Sequence, residues 1–353
     1  MNPPFFGAAV WGKKFFEMFA DWHLPSMYMA EIHAFGPKPD YVIYTDAETL
    51  PLFEELRANS FYDDINLILC EIPKDLMEGV RNKTLYSGGL KQICQRELIK
   101  RAWDEDRPFA WLYPDMLFGP RAYRAVARFY SEGYRATTFA GFTVSLESIE
   151  RAGDRERILG FDGSPLEWGG IFLDHLHEFL TWRVWDGPNG NGARSYWPCH
   201  LYTQNDQGLF VNSLHPNPLF IYPRRNVVGR FRGLEDDFLE LGGIHPTEVK
   251  AMDDGSFVAV EIATADKPLG LAGPGGTPND TGPHIPLLTD DMLAEWAVRA
   301  SLPYQRNFFP TTLPLGLRTG VTLAECKPVM TKAAIHARSV LNRVWAFEYG
   351  GRL

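Results

Sequence analysis

The chain has 353 residues, 45% hydrophobic and 22% charged, enough for one large α/β domain with an accessory region or for two domains. A formal charge of -9 and a pI near 5.5 argue against a nucleic-acid binder, which carries a basic face. A nucleotide site stays open, because a few local donors offset a global deficit.

The first half alternates short apolar runs with amphipathic segments. Gly7 to Trp11 reads as a strand, followed by a helical stretch from Lys13 to about Ala30. Tyr41 to Thr45 reads as a second strand, Glu48 to Arg57 as a helix, and Asn66 to Ile72 as a third strand. Gly89 to Asp104 predicts a long helix, since Leu90, Ile93, Cys94, Leu98 and Ala102 recur near helical spacing. After a strand at Phe109 to Tyr113, Pro120 suits a helix start, Gly133 a stop, and Ala122, Ala125, Val126 and Phe129 a buried face. Arg135 to Val144 reads as one more strand. This rhythm predicts a mostly parallel sheet with helices on both faces.

From Ser145 the rhythm changes. A helix is expected over Phe172 to Trp182, a flap-length loop over Asp186 to Ala193, and strands at Leu209 to His215, Leu219 to Tyr222 and Ser256 to Ile262. Pro268 to Pro286 reads as a loop, and a last helix opening at Thr322 to Glu325 is expected to pack on the body. No internal repeat is found.

Cys70, Cys94, Cys199 and Cys326 match no metal-binding spacing; Cys70 and Cys94 fall in apolar surroundings, so reduced core thiols are expected there, which fits a cytoplasmic location. No secretory signal is visible and no apolar stretch is long enough to span a bilayer, which leaves only peripheral membrane contact. Ten Trp, fourteen Tyr and twenty-four Phe are mainly core filler, although sugar-handling clefts also use such rings as flat walls.

The segment Phe109-Ala-Trp-Leu-Tyr-Pro-Asp-Met-Leu-Phe118 reads as a buried strand running into a lone carboxylate, Asp115, before the chain restarts as a helix. An acid just past the carboxyl end of a central strand lies where open α/β sheets bind ligands. In that water-poor mouth it needs a partner, and a hydrated divalent cation carrying a phosphate is one candidate. A helix-capping or turn aspartate is the other reading.

Taken together, these elements resemble glycosyltransferases of the GT-A fold, the nucleotide-diphospho-sugar transferases, over roughly residues 1–225. The resemblance implies an α/β, Rossmann-type, mostly parallel central sheet flanked by helices in 1–225, with a C-terminal accessory region in 226–353. It also implies transfer of a sugar from a nucleotide-sugar to a polysaccharide, glycolipid or protein acceptor. In that fold an Asp-any-Asp motif after the fourth strand holds Mn2+ or Mg2+; here the matching positions are Tyr113-Pro-Asp115, and the first acid is absent. The chain is also similar to uncharacterised bacterial glycosyltransferase-like proteins with a Val-Trp-Gly opening, a Tyr-Val-Ile-Tyr-Thr strand and a His-Pro-any-Pro-Leu strand like His215 to Leu219.

The resemblance places Asp115 on metal or donor sugar, with His215, and less so His200, completing a metal shell; a structural histidine is the alternative. Trp11 and Gly12 would pass beneath the nucleotide, and Thr45 and Asp46 would lie at its base, where Asp46 equally suits a strand-end turn. Lys91 and Arg96 precede the acidic strand, Ser87-Gly-Gly89 offers amides to phosphate, and one of Arg224 and Arg225 could clamp a diphosphate. Asp206 and Glu167 are the candidate bases for the acceptor hydroxyl, each also readable as a cap. A nucleotidyltransferase is the first rival, although Trp11-Gly-Lys-Lys14 lacks the glycine-rich loop it needs; a non-catalytic scaffold with the same fold is the second.

Overall fold

The computed structural model describes residues 2–58, 63–181, 200–213, 217–230, 238–252, 254–265, 312–326 and 339. Contacts divide the chain into two compact units, Met1–Thr138 with Pro218–Lys250 and Phe139–Asn217 with Ala251–Leu353. The chain therefore leaves the first unit, returns to it and leaves again. The division into 1–225 and 226–353 anticipated above follows chain order, whereas the two units cut across it.

Along the first unit run β1 (Phe5–Ala9), α1 (Lys13–Met18), α2 (Leu24–Met29), β2 (Asp40–Thr45), α3 (Leu50–Ala58), β3 (Asn66–Glu71), α4 (Lys74–Arg81), α5 (Ser87–Asp104), β4 (Phe109–Trp111), β5 (Met116–Phe118), α6 (Ala122–Ser131) and β6 (Ala136–Phe139). The excursion supplies β7 (Gly141–Ser145), α7 (Leu146–Ala152), α8 (Arg155–Leu159), α9 (Pro165–Ile171), α10 (Glu178–Thr181), β8 (His200–Gln204) and β9 (Gly208–Ser213). The return gives β10 (Asn217–Ile221), α11 (Phe238–Leu241) and β11 (Val249–Ala251), and the final passage β12 (Ala259–Ala263) and β13 (Thr312–Leu317).

The core of the first unit is a seven-stranded sheet in the order β11-β6-β10-β4-β1-β2-β3. Strands β3, β2, β1 and β4 are mutually parallel, and β10 joins β4 antiparallel. Parallel strands covered on both faces must be apolar throughout, and Tyr41, Val42, Ile43 and Tyr44 are all buried. Alternation along β1 splits its two faces. Phe6 meets Phe35 and Tyr123 edge-on at 5.7 and 5.3 Å, while the opposite face is packed by α5, whose Leu90, Leu98, Ile99 and Ala102 are buried.

In the second unit β7 and β12 are paired in parallel, and β8, β9 and β13 form an antiparallel sheet on which α9 packs. A Cβ on Gly169 would come far inside van der Waals contact with the Leu315 carbonyl oxygen, and one on Gly170 far inside contact with that of Leu317. Gly169→Ala is therefore expected to cost more than about 2 kcal/mol, because backbone rather than a flexible side chain must give way; urea unfolding checks it. Nearby, buried His175 bridges Ser148 Oγ to its Nδ1 and Asp154 Oδ2 to its Nε2, both at 3.0 Å, tying the first turn of α7 to the residue before α8.

The α/β class and the parallel sheet match the expectation, with local differences. The residues after Asp115 form β5, not a helix: Met116, Leu117 and Phe118 are all buried, and Phe118 N–H donates to Ser26 Oγ at 3.3 Å. The expected strand Arg135 to Val144 breaks at Ala140 into β6 and β7, which belong to different sheets. The helical stretch after Gly12 is continuous but widens to a π turn at Phe19–His23, followed by Pro25, which cannot donate to the preceding turn. Helix α4 was not anticipated, and Phe172 to Trp182 yields a 3-10 turn and the short α10. The Asp186 to Ala193 loop, the Pro268 to Pro286 segment, most of the last helix and His215 lie outside the described residues. Among the described residues no helix is long and apolar enough to cross a membrane.

Candidate functional site

The carboxyl ends of β1, β2 and β4 form one rim of the central sheet, because these strands are neighbours and parallel. Their hydrogen bonding continues beyond the strands: Val10 N–H donates to Tyr44 O and Leu112 N–H to Gly7 O, each at 2.8 Å. Trp11 and Gly12 thus leave β1 on the same side as Tyr113 to Asp115 leave β4.

Asp115 owes its position to local chemistry. Tyr113 to Met116 is a turn closed by a 3.1 Å bond from Met116 N–H to Tyr113 O. Pro114 stands at its second position, where the ring presets φ, and Asp115 at its third. The carboxylate is half-buried. On the far side of the turn, His23 anchors the chain. Its Nδ1 lies 2.7 Å from Met116 O and its Nε2 2.7 Å from the Tyr41 hydroxyl, all fully inside the core. A carbonyl only accepts, so Nδ1 carries the proton and Nε2 accepts from Tyr41. Burial holds the His23 pKa down to about 4, and the ring is neutral.

Lys91, on the second turn of α5, brings a cation to the same rim. Its Nζ is 5.0 Å from the centroid of the exposed Tyr113 ring and 3.4 Å from its hydroxyl. The other end of the rim is wired through Thr49: Gly12 N–H donates to Thr49 Oγ1 at 2.8 Å, and Thr49 N–H to Asp46 Oδ1 at 3.0 Å. Gly12 has φ +79° and open space around its Cα, so the backbone there is reachable by a ligand and strained for any other residue. Asp46 is buried, with Arg81 3.9 Å away; Thr45 is buried beside it, and its hydroxyl has no partner among the described residues.

Trp11, Gly12, Thr45, Asp46, Lys91 and Asp115 therefore share one rim. Arg224 does not. It follows β10, which runs antiparallel to β4, so it stands on the opposite rim, by the amino end of β4, held by both carboxylate oxygens of Glu248. Glu167 and Asp206 belong to the second unit. Glu167 forms a capping box with Ser164, accepting from its hydroxyl at 2.7 Å and its N–H at 2.9 Å, and these bonds hold its pKa below the usual carboxylate range. Asp206 is exposed at the tip of the β8–β9 hairpin, where Asn205 Oδ1 accepts from Gln207 and Gly208 N–H.

Among the described residues no three His, Cys, Asp or Glu side chains converge to hold a metal ion. The rim carries two carboxylates, Asp115 and the buried Asp46, which is taken up by Thr49 N–H and Arg81, so these residues do not make up a Mn2+ or Mg2+ shell, and no step below runs through a metal. His23, Pro114 and Thr49 were missed by sequence reasoning. Only Pro114 carries a local signal; His23 reaches Met116 across 93 positions.

A parallel β3-β2-β1-β4 block with an acidic turn after β4 is the GT-A-like arrangement that the sequence resemblance implies. No family model matches the chain, and no curated protein does. Similar solved structures include mouse xyloside xylosyltransferase 1 in its apo form, at 10% identity and TM-score 0.28, covering 38% of this chain and 52% of that one. The chain thus spans about half the length of that protein. S. aureus TarS in complex with UDP is similar at 11% identity and TM-score 0.35, covering 86% and 68%; another TarS structure gives 12% and 0.36, covering 86% and 41%. Similarities of this size leave the functional reading to the chain's own residues.

Proposed function

We propose that the chain is a glycosyltransferase whose nucleoside-diphosphate sugar lies across the carboxyl ends of β1, β2 and β4. The observation that carries this reading is Asp115, fixed at the end of β4 by the Tyr113–Met116 turn, whose Tyr113 ring meets the Lys91 cation. Gly12 admits the nucleotide backbone closely, with Trp11 and the Thr45–Asp46 pair at the base end. Lys91 offsets charge on the diphosphate as the bond from the anomeric carbon to the phosphate oxygen breaks. Asp115 accepts hydrogen bonds from the sugar hydroxyls and orients that carbon.

A base must take the proton of the acceptor hydroxyl in an inverting transfer. Glu167, committed to its cap and held acidic by it, is poorly suited to that role. The acceptor is a hydroxyl-bearing polysaccharide, glycolipid or protein.

Titration calorimetry with a panel of nucleoside diphosphates, with and without Mn2+, tests the reading. One diphosphate is expected to bind, and Asp46→Ala together with Gly12→Val is expected to abolish it. Binding of none of them would point to the scaffold alternative and end the transferase reading. Cleavage of a nucleoside triphosphate would favour a nucleotidyltransferase.

A further inference from the structure

A cleft of about 450 Å3 opens on the α5 face of the central sheet, between α5, α4 and the edge strand β3. Its volume is in the range that small-molecule sites occupy. The cleft reaches from Leu90 to Glu105, beyond the end of α5, and its charged end is Arg101. The cleft starts at Leu90, next to Lys91 of the donor rim, and ten residues of helix, a span of about 15 Å, carry Arg101 away from that rim.

We infer that this cleft binds an amphipathic monoanion, an aliphatic or aryl chain ending in a carboxylate, with the chain against the Leu76, Leu90 and Ile93 walls and the carboxylate at Arg101. The walls are aliphatic side chains of α4 and α5. Arg101 is half-buried and makes no ion pair among the described residues, although Glu97 stands one turn before it; its contact is with the Phe5 ring, 5.9 Å away. An arginine withdrawn from water without a carboxylate is a poor structural element and a good receptor for one. The rest of the floor offers donors. Tyr44, Cys70 and Cys94 line it, and burial raises all three pKa values, that of Cys94 to about 12, so each keeps its proton at neutral pH.

The rim sets the charge limit. Glu71, Glu97 and Glu105 are exposed around the mouth, while Lys100 is occupied by Asp104 at 2.6 Å. Glu105 pairs with Arg107 at 3.5 Å, and the two remaining carboxylates, Glu71 and Glu97, against the one Arg101 guanidinium repel a second negative charge, which disfavours phosphates.

Calorimetry with decanoate, decanol and decyl phosphate on the full chain tests the assignment. Decanoate is expected to bind one per chain, at least tenfold more tightly than either of the others. Arg101→Met is expected to remove the preference for decanoate over decanol, and Glu97→Gln to narrow the gap to decyl phosphate. Ile93→Trp, at a half-exposed wall position, should block the cleft while leaving nucleoside diphosphate binding unchanged. The assignment is overturned by no decanoate binding, by equal affinity for decanol, or by Arg101→Met chains that keep the preference. Should Arg101→Met fail to fold, the Ile93→Trp chain decides: undiminished decanoate binding there places the ligand elsewhere.

Discussion

Asparagine at position 115 is expected to lower sugar transfer by about a hundredfold or more while moving the melting temperature by only about 3 °C or less. The two parts of this expectation have separate physical sources. The backbone turn that carries Asp115 is held by Pro114, by the Met116 N–H to Tyr113 O bond and by the His23 anchor, none of which uses the carboxylate charge. Asparagine keeps the volume and one acceptor oxygen, so β5 and the core behind it should stay in place. What is lost is the negative charge at the rim and one of the two strong acceptors for sugar hydroxyls. Turnover measured with the nucleotide-sugar identified by the binding panel, alongside scanning calorimetry, separates the outcomes. A large loss of stability with unchanged turnover would make Asp115 a structural turn residue. Affinity for the bare nucleoside diphosphate is expected to fall far less than turnover does, since the carboxylate is assigned to the sugar.

Much of the first unit was legible because its strands are buried on both faces and therefore read as uninterrupted apolar runs between turn residues, as Tyr41 to Thr45 does. The rim positions Trp11, Asp46 and Asp115 followed from chain order alone, since every parallel strand ends on the same side. Three features were hidden for identifiable reasons. Strand β5 is only three residues long and follows a proline turn, so its apolar run is indistinguishable from the start of a helix. The break at Ala140 has no composition signal, because β6 and β7 are equally apolar and diverge only through the partners each finds. Arg224 looked available because sequence shows its charge but not the direction of β10, which carries it to the opposite rim and into the grip of Glu248. Neither His23 nor Thr49 announces itself, since each acts on residues remote in the chain.

Acidification from pH 7.5 to 5 is expected to remove about 2 kcal/mol from the stability of the first unit through His23 alone. The folded pKa is about 4 against an ordinary 6.5, so between these values the unfolded chain binds a proton that the native ring refuses. Stability is thus fully present above pH 6.5 and declines as pH falls towards 4, where the loss reaches about 3 kcal/mol. Other groups titrate over the same interval, and a substitution isolates this one. His23→Ala leaves the Tyr41 hydroxyl and the Met116 carbonyl unpaired and opens a cavity beside Phe19 and Phe118, which is expected to cost about 4 kcal/mol at pH 7.5. Because the variant has no ring to titrate, its deficit relative to the natural chain should shrink to about half at pH 5. Urea unfolding at the two pH values, followed by a probe confined to the first unit, measures both numbers. An unchanged deficit would mean that the ring takes up its proton inside the fold. The Nδ1–H bond to the Met116 carbonyl would survive that protonation, and the Tyr41 hydroxyl would have to turn from donor to acceptor.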